Sequence, residues 1–411
     1  MYTVDLDSMK EKIEFFSRIG ATGNGGITRY SLSPEAHQAR DEFVRRMKAI
    51  GAQIETDDLA NIYATLPGSE PGLKRFAMGS HVDSVKCGGN YDGILGVMGA
   101  MSVLETIAKN NIPHRHPLTA IVWTNEEGSE FTPSMIGSGV VTGQFKKDDM
   151  MKVRSMLDPE KTFGDALKAS PYLGEEKNRL TPERYQGEIE LHIEQGPILE
   201  NAGNEIGVVV CVLGMINYRI RFHGQACHAG TFPMDMRHDA LHAAARVLCE
   251  IHERIDDLER PELVYTTGEI FCHPNVHTVV PDDVEFSIDS RHEDPKVLEE
   301  VLKIIKSYDG KEIVGCECEV KEDWCRDTVY FDRHLVDCVQ ESVSGLGFKN
   351  QKINSGAGHD SQYVAHIIPT AMVFVPSVKG LSHCEEEYTP AEQCADGASV
   401  LLNAILKADK D

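Results

Sequence analysis

The chain has 411 residues, 41% hydrophobic and 26% charged, with a formal net charge of −24. That length exceeds what one core fills, so two domains are expected, and the composition is that of a soluble globular protein. The acidic excess argues against nucleic-acid backbones and anionic membranes as partners.

No stretch approaches the roughly 20 apolar residues that span a bilayer. Residues 1–12 lack a basic segment followed by an apolar run, so a cytoplasmic protein is expected. The 11 cysteines are odd in number and dispersed, as reduced thiols are. Cys316 and Cys318 alternate with Glu317 and Glu319 as on a strand, without C-x-x-C spacing. Cys227 lies beside His228 but has no separate base and orienter, so it is not read as a nucleophile.

In chain order, Ser33-Pro34-Glu35 starts a helix, with Ser as cap and Pro at the first helical position. Phe43, Met47 and Ile50 recur at helical spacing before Gly51. Residues 61–66 and 75–78 are strand-like, the second leading to His81. Residues 94–107, after Asp92-Gly93, are small and apolar enough for a buried helix. Residues 118–124 form an apolar run suited to a strand covered on both faces. Residues 188–194 alternate, with Ile189, Leu191 and Ile193 on one face and Glu190, His192 and Glu194 on the other.

From about residue 208 the texture changes. Residues 208–222 are β-rich with a break near Gly214. A helix follows at 238–255, strands at 263–271 and 284–290, and a helix at 295–305. This β-α-β-β-α-β order predicts a ferredoxin-like insert. The α/β texture returns after about residue 327, with a helix near 334–344, a strand at 370–375 and a last helix from Pro390. The expected fold is α/β: a catalytic domain in two pieces, 1–210 and 328–411, interrupted by a smaller α+β domain over 211–327.

Five separate segments each present a metal-ligand side chain. They carry His81, Asp92, the pair Glu126-Glu127, His192 and His383. Three of them follow strand ends, where open α/β sheets hold ligands. Two histidine-containing half-sites sharing one carboxylate are what a two-metal hydrolase requires. Asp83, two residues beyond His81, is placed to take the imidazole's other N–H. Asp92 reads either as a helix cap or as a carboxylate bridging two cations. Of Glu126 and Glu127, one ligates and the other takes a proton; spacing does not tell which. Three imidazoles and two carboxylates suit two divalent ions, Zn²⁺ first, with Mn²⁺ or Co²⁺ as alternatives.

These segments, with Gly25-Gly26-Ile27-Thr28-Arg29, Gly-Gly-Asn90-Tyr-Asp92-Gly, His228-Ala-Gly-Thr and Ser355-Gly-Ala-Gly358-His359-Asp360, are familiar as a set. Nearly end to end, the chain resembles the amidase/carbamoylase branch of the dinuclear-zinc aminoacylase and carboxypeptidase superfamily. That branch contains N-carbamoyl-L-amino-acid hydrolases, bacterial and yeast-type β-ureidopropionases and allantoate amidohydrolases. The resemblance implies a mixed-sheet, peptidase-like catalytic domain with a ferredoxin-like lid or dimerisation domain. It implies that His81, Asp92 and His192 hold one metal, and Asp92, Glu127 and His383 the second. Glu126 is then the general base, Asp83 orients His81, and His228 stabilises the oxyanion. Gln195, Gly358 and His359 line the pocket, and Arg291 pairs with a substrate carboxylate. Asn217 is assigned no role. Relatives commonly carry Asn before Val-Val-Pro, where this chain has Thr278; a hydroxyl replaces an amide, leaving compensation to Asn275 or His277.

The activity so implied is hydrolysis of the ureido C–N bond of a small anionic N-carbamoyl amino acid, by a homodimer whose lid residues can serve the neighbouring subunit. Allantoate hydrolysis on the same residues is the first alternative. A dipeptidase or aminoacylase is the second, disfavoured by His192. A metal-binding pseudoenzyme is the third, disfavoured because neither a ligand nor the base is missing.

Overall fold

The structure is a computed structural model describing residues 1–70 and 72–410. The chain divides into two compact units, one of Met1–Val210 with Tyr330–Asp411 and one of Cys211–Val329. Among the described residues no helix is long and apolar enough to cross a membrane.

The first unit is built on a nine-stranded mixed sheet. From one edge its strands run Gln53–Thr56, Ile62–Leu66, Leu118–Trp123, Arg75–His81, Tyr185–Ile193, Thr370–Val375, Ile206–Val212 and Val329–Tyr330, with Asn350–Ser355 also pairing to Ile206–Val212. The four strands from Leu118–Trp123 to Thr370–Val375 are mutually parallel. Every residue of Leu118–Trp123 and Thr370–Val375 is buried, as a parallel strand covered on both faces demands. Their shared direction brings His81, Trp123, Ile193 and Val375 to one side of the sheet.

The helix Ile94–Asn110 lies close on this sheet because its inner face is small. A Cβ at Gly96 would meet the Leu191 carbonyl oxygen at 2.5 Å, and one at Gly99 would meet the Leu191 side chain at 2.7 Å. The start of the helix therefore sits beside the ends of the parallel strands. Pro34–Ala49 begins as expected, with the Ser33 hydroxyl accepting from the Ala36 N–H at 3.1 Å. Asp92 is not a cap. Gly93 occupies that position with φ of 65°, and no side chain caps the helix.

The second unit carries a six-stranded sheet. Its four main strands, in chain order Gly214–His223, Ile270–His273, Asp283–His292 and Cys316–Arg326, lie in spatial order 2-3-1-4. With Ala240–Asp256 and Pro295–Lys306 this is a β-α-β-β-α-β arrangement. Ile216, Tyr218, Ile220 and Phe222 alternate inward onto those helices, joined by Val247, Ile251, Val301 and Ile305. The stretch 263–271 is two short strands, Val264–Thr266 and Ile270–His273, both paired to Asp283–His292. A separate antiparallel ribbon joins Cys227–His228 to Val279–Val280. Among the described residues none of the 11 cysteines forms a disulfide.

Candidate active site

His81 ends its strand, and His192 is the penultimate residue of Tyr185–Ile193. Both rings are buried and held by main-chain carbonyls. His81 Nδ1 lies 2.9 Å from the Asp83 carbonyl, and His192 Nδ1 lies 2.9 Å from the Ile193 carbonyl. Each therefore keeps its proton on Nδ1 and turns Nε2 inward, the form that a metal-ligating histidine needs. The Gly93 N–H donates to His192 Nε2 at 3.1 Å, consistent with a lone pair there.

Asp92 lies between the histidines. Its Oδ1 is 3.3 Å from His192 Nε2 and 3.7 Å from His81 Nε2, and its Oδ2 is 3.2 Å from His383 Nε2. Glu127 Oε2 is 3.6 Å from the same His383 nitrogen. Two ligand groups result, His81–Asp92–His192 and Asp92–Glu127–His383, sharing Asp92. Glu126 belongs to neither; its Oε2 is 3.4 Å from His81 Nε2. A third group, Glu190–His192–His359, competes for His192. That ring has spent Nδ1 on Ile193, so its one inward nitrogen cannot serve two ions.

The donor set fits divalent cations. Asp92, Glu126 and Glu127 are buried carboxylates faced by imidazoles rather than by Lys or Arg, an arrangement that is costly without added positive charge. Glu127 Oε1 is buried without a hydrogen-bond partner. Imidazole nitrogen with carboxylate oxygen is the mixture that Zn²⁺, Mn²⁺ or Co²⁺ accepts.

Protonation follows the same imbalance. Burial, and then the neighbouring carboxylates, lift Glu126 and Glu127 well above the ordinary carboxylate range. Burial opposes ionisation of Asp92, but hydrogen bonds from His192 and His383 outweigh it and hold the group well below that range. Burial also opposes a charged His192, yet Asp92 carries its pKa up to about 9. A cation in place of that proton gives Asp92 the same positive partner. Beneath the site, burial and then Glu190 push Glu188 up to about 8. Groups raised on folding stabilise the fold below their ordinary values and lose that contribution as pH climbs through the folded value. Chelator-stripped protein should therefore melt at progressively lower temperature from about pH 5 to pH 9. Zinc should flatten that slope; thermal scans across this window check it.

The turn after Trp123 is fixed from several sides. The N–H groups of Met135, Ile136 and Gly137 donate to the carbonyls of Glu126, Asn125 and Thr124 at 2.8, 3.2 and 2.9 Å. Arg40, buried in the helix Pro34–Ala49, donates to the Thr124 hydroxyl at 2.9 Å. Asp83 has a different task from the one expected. Its carbonyl, not its carboxylate, holds His81; the carboxylate stands 3.8 Å from that ring and accepts the Glu127 N–H at 3.1 Å.

Gly93 is required where it stands. Besides its positive φ, a Cβ there would lie 2.2 Å from His81 Cε1 and Nε2. Gly93→Ala should bind zinc at least about tenfold more weakly at the His81–His192 group, as outer-sphere disruptions do. Titration calorimetry reads this directly.

Gln195, expected in the pocket, donates to Asp92 Oδ2 at 2.7 Å from a left-handed backbone with φ of 59°. His359 packs edge-on to His192 with ring centroids 4.6 Å apart, and its Nε2 meets Ser355 Oγ at 2.8 Å. Burial, then His192, hold His359 well below the ordinary histidine value. It begins the helix Asp360–Val364 without capping it through its side chain. Gly358 precedes it in the loop after Asn350–Ser355. In the second unit, His228 pairs with Val279, and the Ala229 N–H donates to the Thr278 carbonyl at 2.9 Å. Asn275 and His277 lie on the approach to that ribbon, Asn275 with φ of 56°. Arg291 lies near the far end of Asp283–His292, its Nε donating to Asp289 at 2.8 Å.

Sequence reasoning assigned no work to Arg29 or Glu387. Arg29 is buried and donates to the carbonyls of Phe16 and Ile19 at 3.1 Å each, and its N–H donates to Ser84 Oγ at 2.9 Å. The nearby Ile27 exchanges both backbone bonds with Gly88 at 2.9 Å. The Gly25–Arg29 motif thus braces the segment leading to Asp92.

The family model for peptidase family M20/M25/M40 matches residues 77–407. The chain belongs to peptidase family M20. Metal-dependent hydrolysis is the family's chemistry, and the two Asp92-centred groups are its candidate ligands here. An N-carbamoyl-L-amino-acid amidohydrolase of Rhizobium meliloti is 34% identical, covering 98% of this chain and 96% of the relative. An allantoate amidohydrolase of Bacillus subtilis is 33% identical, covering 98% and 97%. Among solved structures, an amidase of the hydantoinase/carbamoylase family from Burkholderia multivorans matches with a TM-score of 0.89 and 36% identity, covering 100% of this chain and 99% of the other. The sequence resemblance is therefore upheld over the whole chain.

Proposed function

We propose that this M20 enzyme hydrolyses the ureido C–N bond of a small N-carbamoyl amino acid, releasing the amino acid, ammonia and CO₂. The observation that carries the reading is the convergence of two ligand groups on Asp92, with Glu126 beside them but in neither. His81, Asp92 and His192, and Asp92, Glu127 and His383, would hold divalent ions, Zn²⁺ first, which would supply Lewis acidity. Glu126 takes a proton from the attacking water. The water oxygen bonds to the carbamoyl carbon, the C–N bond breaks, and Glu126 returns the proton to the leaving nitrogen. His228 stabilises the developing oxyanion. Arg291 pairs with the substrate carboxylate.

A homodimer completes this reading. Arg291 lies eight residues beyond Asp283 on one strand, a span of about 26 Å, while the His228 ribbon pairs with Val279 before that strand begins. One small substrate cannot touch both ends of one rigid unit. We assign Arg291 of one copy and His228, Asn275, His277 and Thr278 of the other to the same substrate. Val264, Ile270 and Phe271, 60%, 55% and 58% exposed on short strands, offer apolar surface for association. Cysteines that form no disulfide among the described residues favour a reducing, cytoplasmic setting.

The allantoate reading is kept alive by a relative of nearly equal identity that bears that name. After reconstitution with Zn²⁺, Mn²⁺ or Co²⁺, the enzyme should be given N-carbamoyl-L-amino acids, N-carbamoyl-β-alanine, allantoate and dipeptides. Ammonia release with free amine from a carbamoyl amino acid supports the proposal. Turnover of allantoate alone replaces it.

A further inference from the structure

Glu387 is buried and lies four residues after His383 in an acidic run, Glu385-Glu386-Glu387. It is a candidate ligand in neither group. Its Oε1 accepts two main-chain N–H groups, from Tyr91 and Asp92, each at 3.0 Å. Its Oε2 accepts from the Ser382 hydroxyl at 2.8 Å, and that hydroxyl also lies 3.1 Å from Asp92 Oδ2. One carboxylate therefore grips the backbone of the bridging aspartate and the residue preceding His383. The fit is close: a Cβ at Gly89 would stand 2.1 Å from Glu387 Oε1. The neighbouring rings of Tyr91 and Tyr388 meet edge to face at 5.8 Å, joining the same two segments again.

We propose that Glu387 is a positioning residue that locks the Asp92 segment to the His383 segment, and thereby sets the cation site of Asp92, Glu127 and His383. This rests on the two-cation reading above. The His81–Asp92–His192 group is less exposed to loss of Glu387, because His81 and His192 are carried by the sheet and oriented by their own carbonyls. The two cation affinities should therefore separate in a Glu387 variant.

The test uses full-length, chelator-stripped protein titrated with Zn²⁺ by calorimetry, with thermal melts alongside. Wild type should take up two zinc ions per chain. Glu387→Ala should weaken the second ion about 10–100-fold, the usual range for removing an outer-sphere partner, and leave the first unchanged. Glu387→Gln keeps a carbonyl for the Tyr91 and Asp92 N–H groups and should fall between. Ser382→Ala, which removes only the hydroxyl link, should weaken the second ion in the same selective way. If Glu387→Ala does not fold, Glu387→Gln and Ser382→Ala carry the test. Two wild-type zinc affinities in the variants, or equal weakening of both with a lowered melting temperature, overturn the role of Glu387 alone. A wild type that takes up no zinc overturns the two-cation reading as well.

Discussion

Glu126→Gln should lower kcat by about 10²–10⁴-fold, the contribution of a well-placed general base. KM and zinc content should stay close to wild type. Gln has the shape of Glu but no basic oxygen. Glu126 stands outside both ligand groups, so its amide leaves their donors intact. Its nearest imidazole, His81, is held through Nδ1 by a main-chain carbonyl that the substitution does not touch. A proton transfer made only in the transition state appears in kcat rather than in KM. Glu127→Gln should behave differently, losing zinc along with rate, because Glu127 shares a ligand group with Asp92 and His383. A Glu126→Gln enzyme within tenfold of wild type removes Glu126 as the base. Loss of zinc from it would place Glu126 among the ligands.

Mixing two inactive variants should restore activity. His228→Ala removes the proposed oxyanion partner and Arg291→Ala the proposed carboxylate partner. If the two residues serve one substrate from different copies, a mixed dimer contains one site with both residues and one with neither. Random exchange makes half the dimers mixed, and half of their sites intact, so about a quarter of wild-type activity should return. The proposed sharing rests on the strand Asp283–His292, whose start, on the side of the His228 ribbon, lies about 26 Å from Arg291, longer than a small amino-acid derivative. Activity should appear only under conditions that allow subunit exchange. Its absence after exchange, shown by mixed dimers without turnover, returns both residues to one copy and contradicts the dimeric site.

The sequence exposes the site's raw material because parallel α/β sheets deliver strand ends to one side. His81, the Glu126–Glu127 turn and His192 follow or end such strands, and each strand is apolar enough to recognise. The alternation of Glu190, His192 and Glu194 is legible for the same reason. The second unit is legible through its helix and strand periods, although 263–271 proved to be two short strands separated at residues 267–269. The division of labour between Glu126 and Glu127 is invisible to spacing, since adjacent residues in a turn can face any way. Asp83 illustrates a related limit: a carbonyl and a carboxylate of one residue compete for His81, and only three-dimensional geometry chooses the carbonyl. Glu387 hides in a run of three glutamates that reads as solvated charge. The strands Gln53–Thr56 and Asn350–Ser355 were missed because partly exposed, polar strands show no apolar run.

Crystals of the full chain soaked in Zn²⁺ and measured at the zinc absorption edge test the central claim most directly. Two anomalous peaks should appear, about 3.5–4 Å apart as in other two-metal hydrolytic sites. They should flank the Asp92 carboxylate, one toward His81 and His192 and the other toward Glu127 and His383. A single peak away from Asp92, or none at full soaking, contradicts the account.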